Sequence, residues 1–284
     1  MDSVPFAFCD AMTRSLHPPF STRCIELSGL IGAVASENKQ KLAYEWIKTN
    51  SNGRFLDTIY RTWSDKSELA SINPNDRRCT SVTINRSLEE HSSDEIVAYR
   101  NVPTIRLYFY TPAISKEFME RLHSLRFVSL LQFYSRSADL IPGMMRNFVA
   151  KKTLNYVKFL LDYVFDEPTE TLLLDLIKQE QFSLCYLPEK ATSTVKKIIA
   201  EWKENPENFI GKRVFAGMKS DNKHYQAEVQ AGRIRECTED EKRFLKLYYP
   251  RVGWKNSQIS TNQKGGAIYW FCSRTTHDTC LLFA

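Results

Sequence analysis

Short apolar segments alternate with amphipathic stretches between residues 102 and 217. Five segments rich in β-branched and aromatic residues begin at residues 105, 127, 154, 182 and 209, so successive starts lie 22, 27, 28 and 27 residues apart. Segments of this composition are typical of β-strands, and the intervening stretches carry apolar residues at helical spacing. The pattern predicts a run of strand–helix units, with parallel strands joined by right-handed crossovers.

The interval points to a repeat architecture, because strand–helix repeats such as leucine-rich repeats have periods of roughly 20–29 residues. Residues 125–130 and 154–159 fit the L-x-x-L-x-L core of that repeat, although neither is followed by its turn-forming Asn and the later units fit less well. An ordinary α/β sheet would give a similar spacing. We predict an α/β fold with an irregular, leucine-rich-repeat-like strand–helix sheet, an N-terminal helical segment and a hairpin. Such sheets commonly bind other proteins.

Capping residues mark the helix boundaries within this run. Ser115 is a favourable N-cap for a helix over 116–125. Pro142 and Pro168 stand where the first helical residues of the next two helices are expected. Ser193 is expected to cap the following helix, which Pro206 ends.

The N-terminal part combines a helical segment with a hairpin. Residues 4–16 predict a helix, because Val4, Phe8, Met12 and Leu16 recur every four positions and form one apolar stripe. A second helix is expected over 25–37. The strands 42–49 and 55–63 flank an Asn-Gly pair, which is the strongest short hairpin signal, and a further strand is expected at 81–84.

The C-terminal part has a different character. Thr238 and Glu241 have the spacing of a capping box, which predicts a helix after Thr238. Two strands are expected at 267–272 and 280–283. We divide the chain into a helical segment, 1–40, and an α/β domain, 41–284, that comprises the hairpin (41–64), the strand–helix repeats (102–217) and a C-terminal cap (218–284).

Composition narrows the setting in which the protein acts. The chain of 284 residues is 43% hydrophobic, carries a net charge of +6 and contains seven cysteines at wide spacing with no C-x-x-C pair. No signal-peptide pattern opens the sequence, and its apolar stretches are shorter than the ~20 residues that a membrane span requires. We expect an intracellular protein, cytoplasmic or nuclear, whose cysteines are reduced thiols.

Residues that could carry chemistry are sparse. Cys272, His277 and Cys280 lie close in sequence, so a cysteine nucleophile with a histidine base is one alternative. A polar loop between two strands is the interpretation that we favour. The histidines lack metal-ligand spacing, and no phosphate-binding glycine motif occurs. We expect no catalytic residues, no metal and no cofactor.

The remaining candidates are residues of the surface. Paired basic residues would form a nucleic-acid-binding face if they gathered on one side. The pairs are Lys151 with Lys152, Lys196 with Lys197, Lys212 with Arg213, Arg233 with Arg235, and Lys242 with Arg243. Acidic residues interleave with them, which weakens that alternative, and no membrane partner is expected. Trp254 lies in a loop-like context and is the tryptophan best suited to anchor a partner protein.

Residues 1–10 (MDSVPFAFCD) resemble the start of a large nematode protein family that is expanded in Caenorhabditis and related to F-box and F-box-associated proteins. Residues 26–30 (ELSGL), the Asn52-Gly53 hairpin and the strand–helix run that ends near Trp202 and Phe209 fit the same layout. The resemblance covers the whole chain loosely and the first fifty residues best.

The resemblance implies a non-enzymatic protein-interaction module, a substrate-recognition subunit of a cullin-type ubiquitin ligase. In F-box proteins an N-terminal helical motif holds a Skp1-type adaptor, and the following domain captures a protein substrate. Val4 and Pro5 would correspond to the start of that motif, and Phe8, Met12 and Leu16 to its first apolar stripe. The stretch after residue 19 lacks the basic, tryptophan-containing end of a standard F-box. A chain that keeps only the recognition domain is therefore the other alternative.

Overall fold

The chain forms two compact units, Met1–Ser129 and Leu130–Ala284, in a computed structural model. The structure describes residues 5–15, 24–41, 43–49, 55–60, 66–67, 77–84, 96, 105–110, 114–134, 140–159, 163–188, 191–216, 229–232, 234–248, 257–261, 263–272 and 279–284. Each unit contains both helices and strands. Among the described helices, none is long and apolar enough to cross a membrane.

The first unit contains three helices and five strands within its described residues. The helices are α1 (Phe6–Ser15), α2 (Leu30–Lys41) and α3 (Lys116–Ser124). The strands are β1 (Ala43–Thr49), β2 (Phe55–Tyr60), β3 (Lys66–Ser67), β4 (Arg77–Ile84) and β5 (Ile105–Phe109). Their order is β3-β2-β1-β4-β5, and the pairs β1–β4 and β4–β5 are parallel.

The hairpin of the first unit is as predicted, whereas the fourth strand begins earlier than predicted, at Arg77. Strands β1 and β2 pair antiparallel, with Thr49 opposite Phe55. The Asn52-Gly53 turn itself lies outside the described residues. The strand predicted at 81–84 is the end of the longer β4.

The second helix begins later than predicted. The sequence indicated a helix over 25–37, but α2 starts at Leu30 because Gly29 has a φ of +79°, which interrupts a right-handed helix. Gly32, one turn further on, approaches the backbone carbonyl of Leu27 so closely that a Cβ there would collide with it. The small residues of this segment therefore do allow close backbone packing.

The second unit, with the strand that leads into it, contains four helices and eight strands within its described residues. The helices are α4 (Leu140–Lys151), α5 (Glu167–Ile177), α6 (Thr192–Glu204) and α7 (Glu239–Tyr248). The strands are β6 (Val128–Phe133), β7 (Tyr156–Phe159), β8 (Leu184–Leu187), β9 (Arg213–Ala216), β10 (Arg235–Glu236), β11 (Gln258–Thr261), β12 (Ala267–Cys272) and β13 (Thr279–Phe283). Their order is β6-β7-β8-β9-β13-β12-β11-β10.

The predicted parallel run is confirmed in the second unit. Strands β6, β7, β8 and β9 pair parallel in chain order, and one α-helix lies between each pair. The strands begin at residues 128, 156, 184 and 213, so the intervals are 28, 28 and 29 residues. The remaining strands pair antiparallel, including β12 with β13, the two strands predicted near the C-terminus.

Two predicted caps are confirmed. The Ser115 hydroxyl accepts the backbone N–H of Phe118 at 3.1 Å and so caps α3. In the capping box that opens α7, the backbone N–H of Thr238 donates to Glu241 Oε2 at 2.7 Å, while that of Glu241 donates to Thr238 Oγ1 at 3.3 Å. Pro206 stands directly beyond the C-cap of α6, as expected.

Three boundaries within the run were wrong. Ser193 does not cap α6, whose N-cap is Ala191 and has no side-chain capping bond. Helix α4 begins at Leu140, two residues before Pro142. Phe209 belongs to a 3₁₀ turn, Pro206–Phe209, rather than to a strand, because Pro206 fixes the backbone for a helical turn and overrides the β propensity of the aromatic residue.

Helices cover one face of the sheet in the second unit. Trp202 of α6 contacts Phe283 of β13, with ring centroids 6.2 Å apart. Phe283 lies on the same side of β13 as Leu281, and Leu281 is the register partner of Val214 in β9. This covered face of β7, β8 and β9 is tightly packed: its side chains are at most 5% exposed. They belong to Val157, Phe159, Cys185, Leu187, Val214 and Ala216.

Polar contacts tie the covering helices to one another and to the sheet. Glu170 of α5 is buried, and its carboxylate accepts hydrogen bonds from Thr194 Oγ1 at 2.7 Å and from Lys197 Nζ, both in α6. Lys212, just before β9, is 5% exposed, and its Nζ donates to three backbone carbonyls of the segment after α5. The acceptors are Gln179 at 2.6 Å, Glu180 at 3.1 Å and Phe182 at 2.7 Å.

Candidate protein-interaction surfaces

The N-terminal helix leaves two large aromatic side chains exposed. The Pro5 carbonyl accepts the backbone N–H groups of Phe8 and Cys9 at 3.0 and 3.2 Å, so α1 starts directly after the proline. Phe6 is 53% and Phe8 58% exposed, whereas Cys9 is fully buried. The inward side of α1 therefore passes through Cys9, and the Phe8 side faces solvent.

Helix α2 packs against α1, and the turn before it adds further exposed apolar surface. Val34 and Ala35 of α2 are buried at 2% exposure, while Leu27 and Leu30 at the start of the helix are 52% and 39% exposed. Large apolar side chains in water are unfavourable when they gather, so such surface commonly marks a binding site. We call the exposed apolar residues Phe6, Phe8, Leu27 and Leu30 together the N-terminal apolar surface, in which Phe6 and Phe8, two positions apart, lie on different sides of α1.

The structure locates only part of the predicted adaptor stripe. Pro5 and Phe8 are exposed and Met12 is half-buried. Val4 and Leu16 lie outside the described residues, as do Trp254 and His277. Within the described part of this stripe, Phe8 is exposed and Met12 is partly covered.

The sheet face opposite the covering helices is a second surface. In β7, β8 and β9 every residue that points away from the helices is half-buried, in strict alternation with the buried set. These side chains, which we call the open face, belong to Tyr156, Lys158, Leu184, Tyr186, Arg213 and Phe215. The parallel register aligns them in two rows across the strands, one of which runs Lys158, Tyr186, Phe215.

Tyr186 is the centre of the open face. Its ring stacks on Phe215 with centroids 4.3 Å apart and an interplanar angle of 5°, and the Lys158 ammonium lies over the same ring at 5.0 Å from the centroid. Lys158 and Phe215 come from the two strands that flank β8, so they approach Tyr186 from opposite sides. Tyr156 adds a tilted contact at 5.9 Å. The rings therefore stand on edge, side by side.

Helix α7 borders the open face. Leu245 of α7 packs in an apolar cluster with Cys280 and Leu282 of β13, and Phe215 is partly buried against that cluster. In the register, Cys280 is the partner of Phe215 and Leu282 that of Arg213. The open face thus ends where α7 begins to cover the sheet, and its aromatic row continues into a packed core at that side.

Several of the paired basic residues make contacts with nearby groups. Lys212 is buried among carbonyl oxygens, and burial lowers the pKa of its ammonium. The other contacts are Lys197 with Glu170, Arg235 with Glu241, Lys242 with Glu239, and Lys151 over the ring of Phe148. Such contacts reduce the positive potential that a phosphate backbone would meet.

Three buried cysteines are poor nucleophiles. Burial raises the pKa of the Cys185 and Cys280 thiols well above the ordinary value, and raises that of Cys237 to about 11, with Glu241 adding to the effect. A thiol must ionise to attack, so these groups stay inert near neutral pH. Within the described part of the chain, no three His, Cys, Asp or Glu side chains converge to hold a metal ion.

Sequence reasoning missed Phe6, Leu27 and the open face. The N-terminal stripe was read at a spacing of four, which passes over Phe6, and Leu27 was assigned to a helix interior. A signal for the open face does exist in the sequence, since five of its six positions are polar or aromatic, with Leu184 as the exception. What the sequence does not show is the register that aligns Tyr186 with Phe215.

Comparison of the chain with protein-family models, curated proteins and solved structures found no match.

Proposed function

We propose that this chain is a non-enzymatic protein-interaction module whose N-terminal apolar surface binds a Skp1-type adaptor and whose second unit recognises a protein substrate. The observation that carries the proposal is the exposure of Phe6 and Phe8 on a helix that buries Cys9 against its own unit. An aromatic anchor that is exposed on a packed helix is typical of an interface hot spot. The complex would be the substrate-recognition arm of a cullin-type ubiquitin ligase.

The recognition role rests on the second unit. Its parallel strands recur at intervals of 28, 28 and 29 residues with a helix after each, and we propose that this run acts as an irregular leucine-rich-repeat-like sheet. Repeat-like sheets leave one face uncovered and use it for binding. The open face of β7, β8 and β9 is in accord with that use, because its six side chains are half-buried while the covered face is packed.

The alternatives have weaker support. A nucleic-acid-binding protein would need its basic residues available, whereas Lys212 is buried and Lys197, Arg235 and Lys242 pair with carboxylates. An enzyme that uses Cys280 would need its thiolate, which burial disfavours. Binding to an oligonucleotide that weakens steeply with salt would favour the first alternative.

The adaptor proposal is tested by pull-down of a purified Skp1-type adaptor with the full chain. We expect wild type to retain the adaptor and Phe8→Asp to lose it by about tenfold or more, because a charge replaces a desolvated aromatic anchor. Phe127→Asp is the matched control, since Phe127 is 45% exposed in the same unit but lies outside the two N-terminal helices. This control should bind like wild type.

Two results would overturn the adaptor proposal. One is a wild-type chain that retains no adaptor, which would leave a recognition domain without that partner. The other is equal loss in Phe8→Asp and Phe127→Asp, which would indicate general damage rather than a defined surface. Thermal unfolding of both variants separates loss of binding from loss of folding.

A further inference from the structure

We infer that the open face of β7, β8 and β9 binds an acidic peptide segment that carries an aromatic or large apolar side chain. This inference rests on the proposed protein-interaction role and names the class of substrate, but it does not depend on adaptor binding. Its basis is the chemistry of six side chains on one sheet face: three aromatic rings, one leucine and two basic groups.

Charge selects an acidic partner. Lys158 and Arg213 lie on the two outer strands of the open face, and β7, β8 and β9 contain no Asp or Glu. Both basic side chains are half-buried, which places them in surroundings where an opposite charge interacts more strongly than in bulk water. A carboxylate on each side of a bound segment would match this distribution.

Ring orientation selects a peptide over nucleobases. Base recognition on a sheet uses aromatic rings whose faces are open for stacking. The Tyr186 ring is stacked on Phe215 at 4.3 Å on one side and covered by Lys158 on the other. What the row can offer is ring edges, which suit an aromatic or apolar side chain in edge-to-face contact.

The arrangement of the strands requires docking on the face rather than at an edge. Both outer strands are already paired, β7 with β6 and β9 with β13, so their backbone groups cannot take an added strand. Three strands spaced roughly 4.8 Å apart span about 10 Å, which corresponds to about three to four extended residues. The expected motif is therefore short, with acidic residues flanking one aromatic or apolar residue.

An array of randomised heptapeptides, sorted by net charge and aromatic content and probed with the purified full chain, tests the inference. We expect wild type to retain acidic, aromatic-containing peptides about tenfold better than basic ones. The double variant Lys158→Glu with Arg213→Glu should reverse that preference, and Tyr186→Ala should remove the selection for aromatic residues. The control is Lys196→Glu with Lys203→Glu, which changes the net charge equally at two exposed positions of α6.

The outcomes separate this inference from the adaptor proposal. No charge preference in wild type, or equal loss in the control double variant, would overturn the inference. Preferential retention of a single-stranded oligothymidylate that the Lys158→Glu, Arg213→Glu variant loses would also overturn it. If the charge-reversed variant unfolds, Lys158→Gln with Arg213→Gln should still lose the acidic preference. Adaptor pull-down with the same variants should be unchanged, because the open face takes no part in the proposed adaptor binding. A wild-type chain that selects acidic peptides but does not retain the adaptor would refute the adaptor proposal and leave this inference standing.

Discussion

Helices α1 and α6 both carry large apolar residues, yet these side chains meet different surroundings. In α6, Val195, Ile198 and Trp202 are at most 1% exposed. In α1, Phe6 and Phe8 are more than half exposed while Cys9 is buried. Apolar residues in a sequence thus indicate a surface whose burial is favourable. The tertiary structure shows whether the protein's own core buries that surface or leaves it exposed to a partner. In α6 the apolar residues serve folding, and in α1 we propose that they serve binding.

The strongest test of this contrast is Trp202→Ala. Trp202 is 1% exposed and contacts Phe283, so its removal leaves a large cavity behind α6. We expect a loss of about 3–5 kcal/mol in the free energy of unfolding, measured by urea denaturation. Adaptor binding per folded molecule should not change, because α6 takes no part in it.

Trp202→Phe is the matched control for that cavity. Trp202 Nε1 is buried and has no acceptor among the described residues, so the indole already carries an unsatisfied donor. Phenylalanine keeps most of the ring and removes that donor, so its cost should be clearly smaller than that of alanine. Equal costs for the two variants would contradict the interpretation that ring volume is what α6 contributes.

A second test concerns the polar support of the covered side. Lys212 Nζ donates to three backbone carbonyls, and Lys212→Met would leave those acceptors without their donor in a buried place. We expect a loss of about 2–3 kcal/mol in the free energy of unfolding. Lys196→Met, an exposed lysine of α6, should change stability by less than about 0.5 kcal/mol. A neutral Lys212→Met would show that the carbonyls find water instead.

The predictable part of the fold was local. The Thr238–Glu241 capping box, the Ser115 cap and the β12–β13 pair follow from short-range chemistry that the sequence displays directly. The missed boundaries had competing signals: Phe209 has a strand-forming side chain, but Pro206 sets a 3₁₀ turn around it. The strands β10 and β11 were missed because segments of two and four residues are too short to display a strand pattern.

The candidate surfaces were harder to predict than the elements. Exposure of Phe8 and burial of Cys9, adjacent in sequence, depend on how α1 packs on α2, which no local pattern encodes. The open face likewise depends on register, since one residue of slip would remove Phe215 from Tyr186. Sequence periodicity locates such strands, and only the pairing shows which side chains form a surface together.

Helix α7 adds a contribution to stability that depends on pH. In the first turn of helix α7, Glu241 pairs with Arg235 through two hydrogen bonds of 2.8 and 2.9 Å. Together with the Thr238 N–H, these bonds lower the pKa of Glu241 from 4.5 to about 2. A lowered carboxyl pKa stabilises the fold above pH 4.5, and that contribution is lost as the pH falls from 4.5 toward 2. We expect Glu241→Gln to cost about 1–2 kcal/mol at neutral pH, allowing for the exposure of Arg235.

The pH dependence identifies the pair. Urea denaturation of wild type and Glu241→Gln should give stabilities that converge as the pH falls through this window. Glu239→Gln is the control in the same helical turn, because Glu239 is 78% exposed and pairs with Lys242 at 2.9 Å. A stability difference that is independent of pH would show that the amide disturbs the capping box rather than the charge.

The smallest expected effect on stability is the most informative for function. Phe8→Ala removes a side chain that is 58% exposed, so the free energy of unfolding should change by less than about 0.5 kcal/mol. Adaptor binding, measured by titration calorimetry, should nevertheless weaken about tenfold if Phe8 is an anchor. A loss of stability comparable to that of Trp202→Ala would place Phe8 in the core of its unit and remove the contrast between α1 and α6. If neither the free energy of unfolding nor the adaptor affinity changed, Phe8 would be an exposed residue with no part in adaptor binding. The two measurements are therefore needed together.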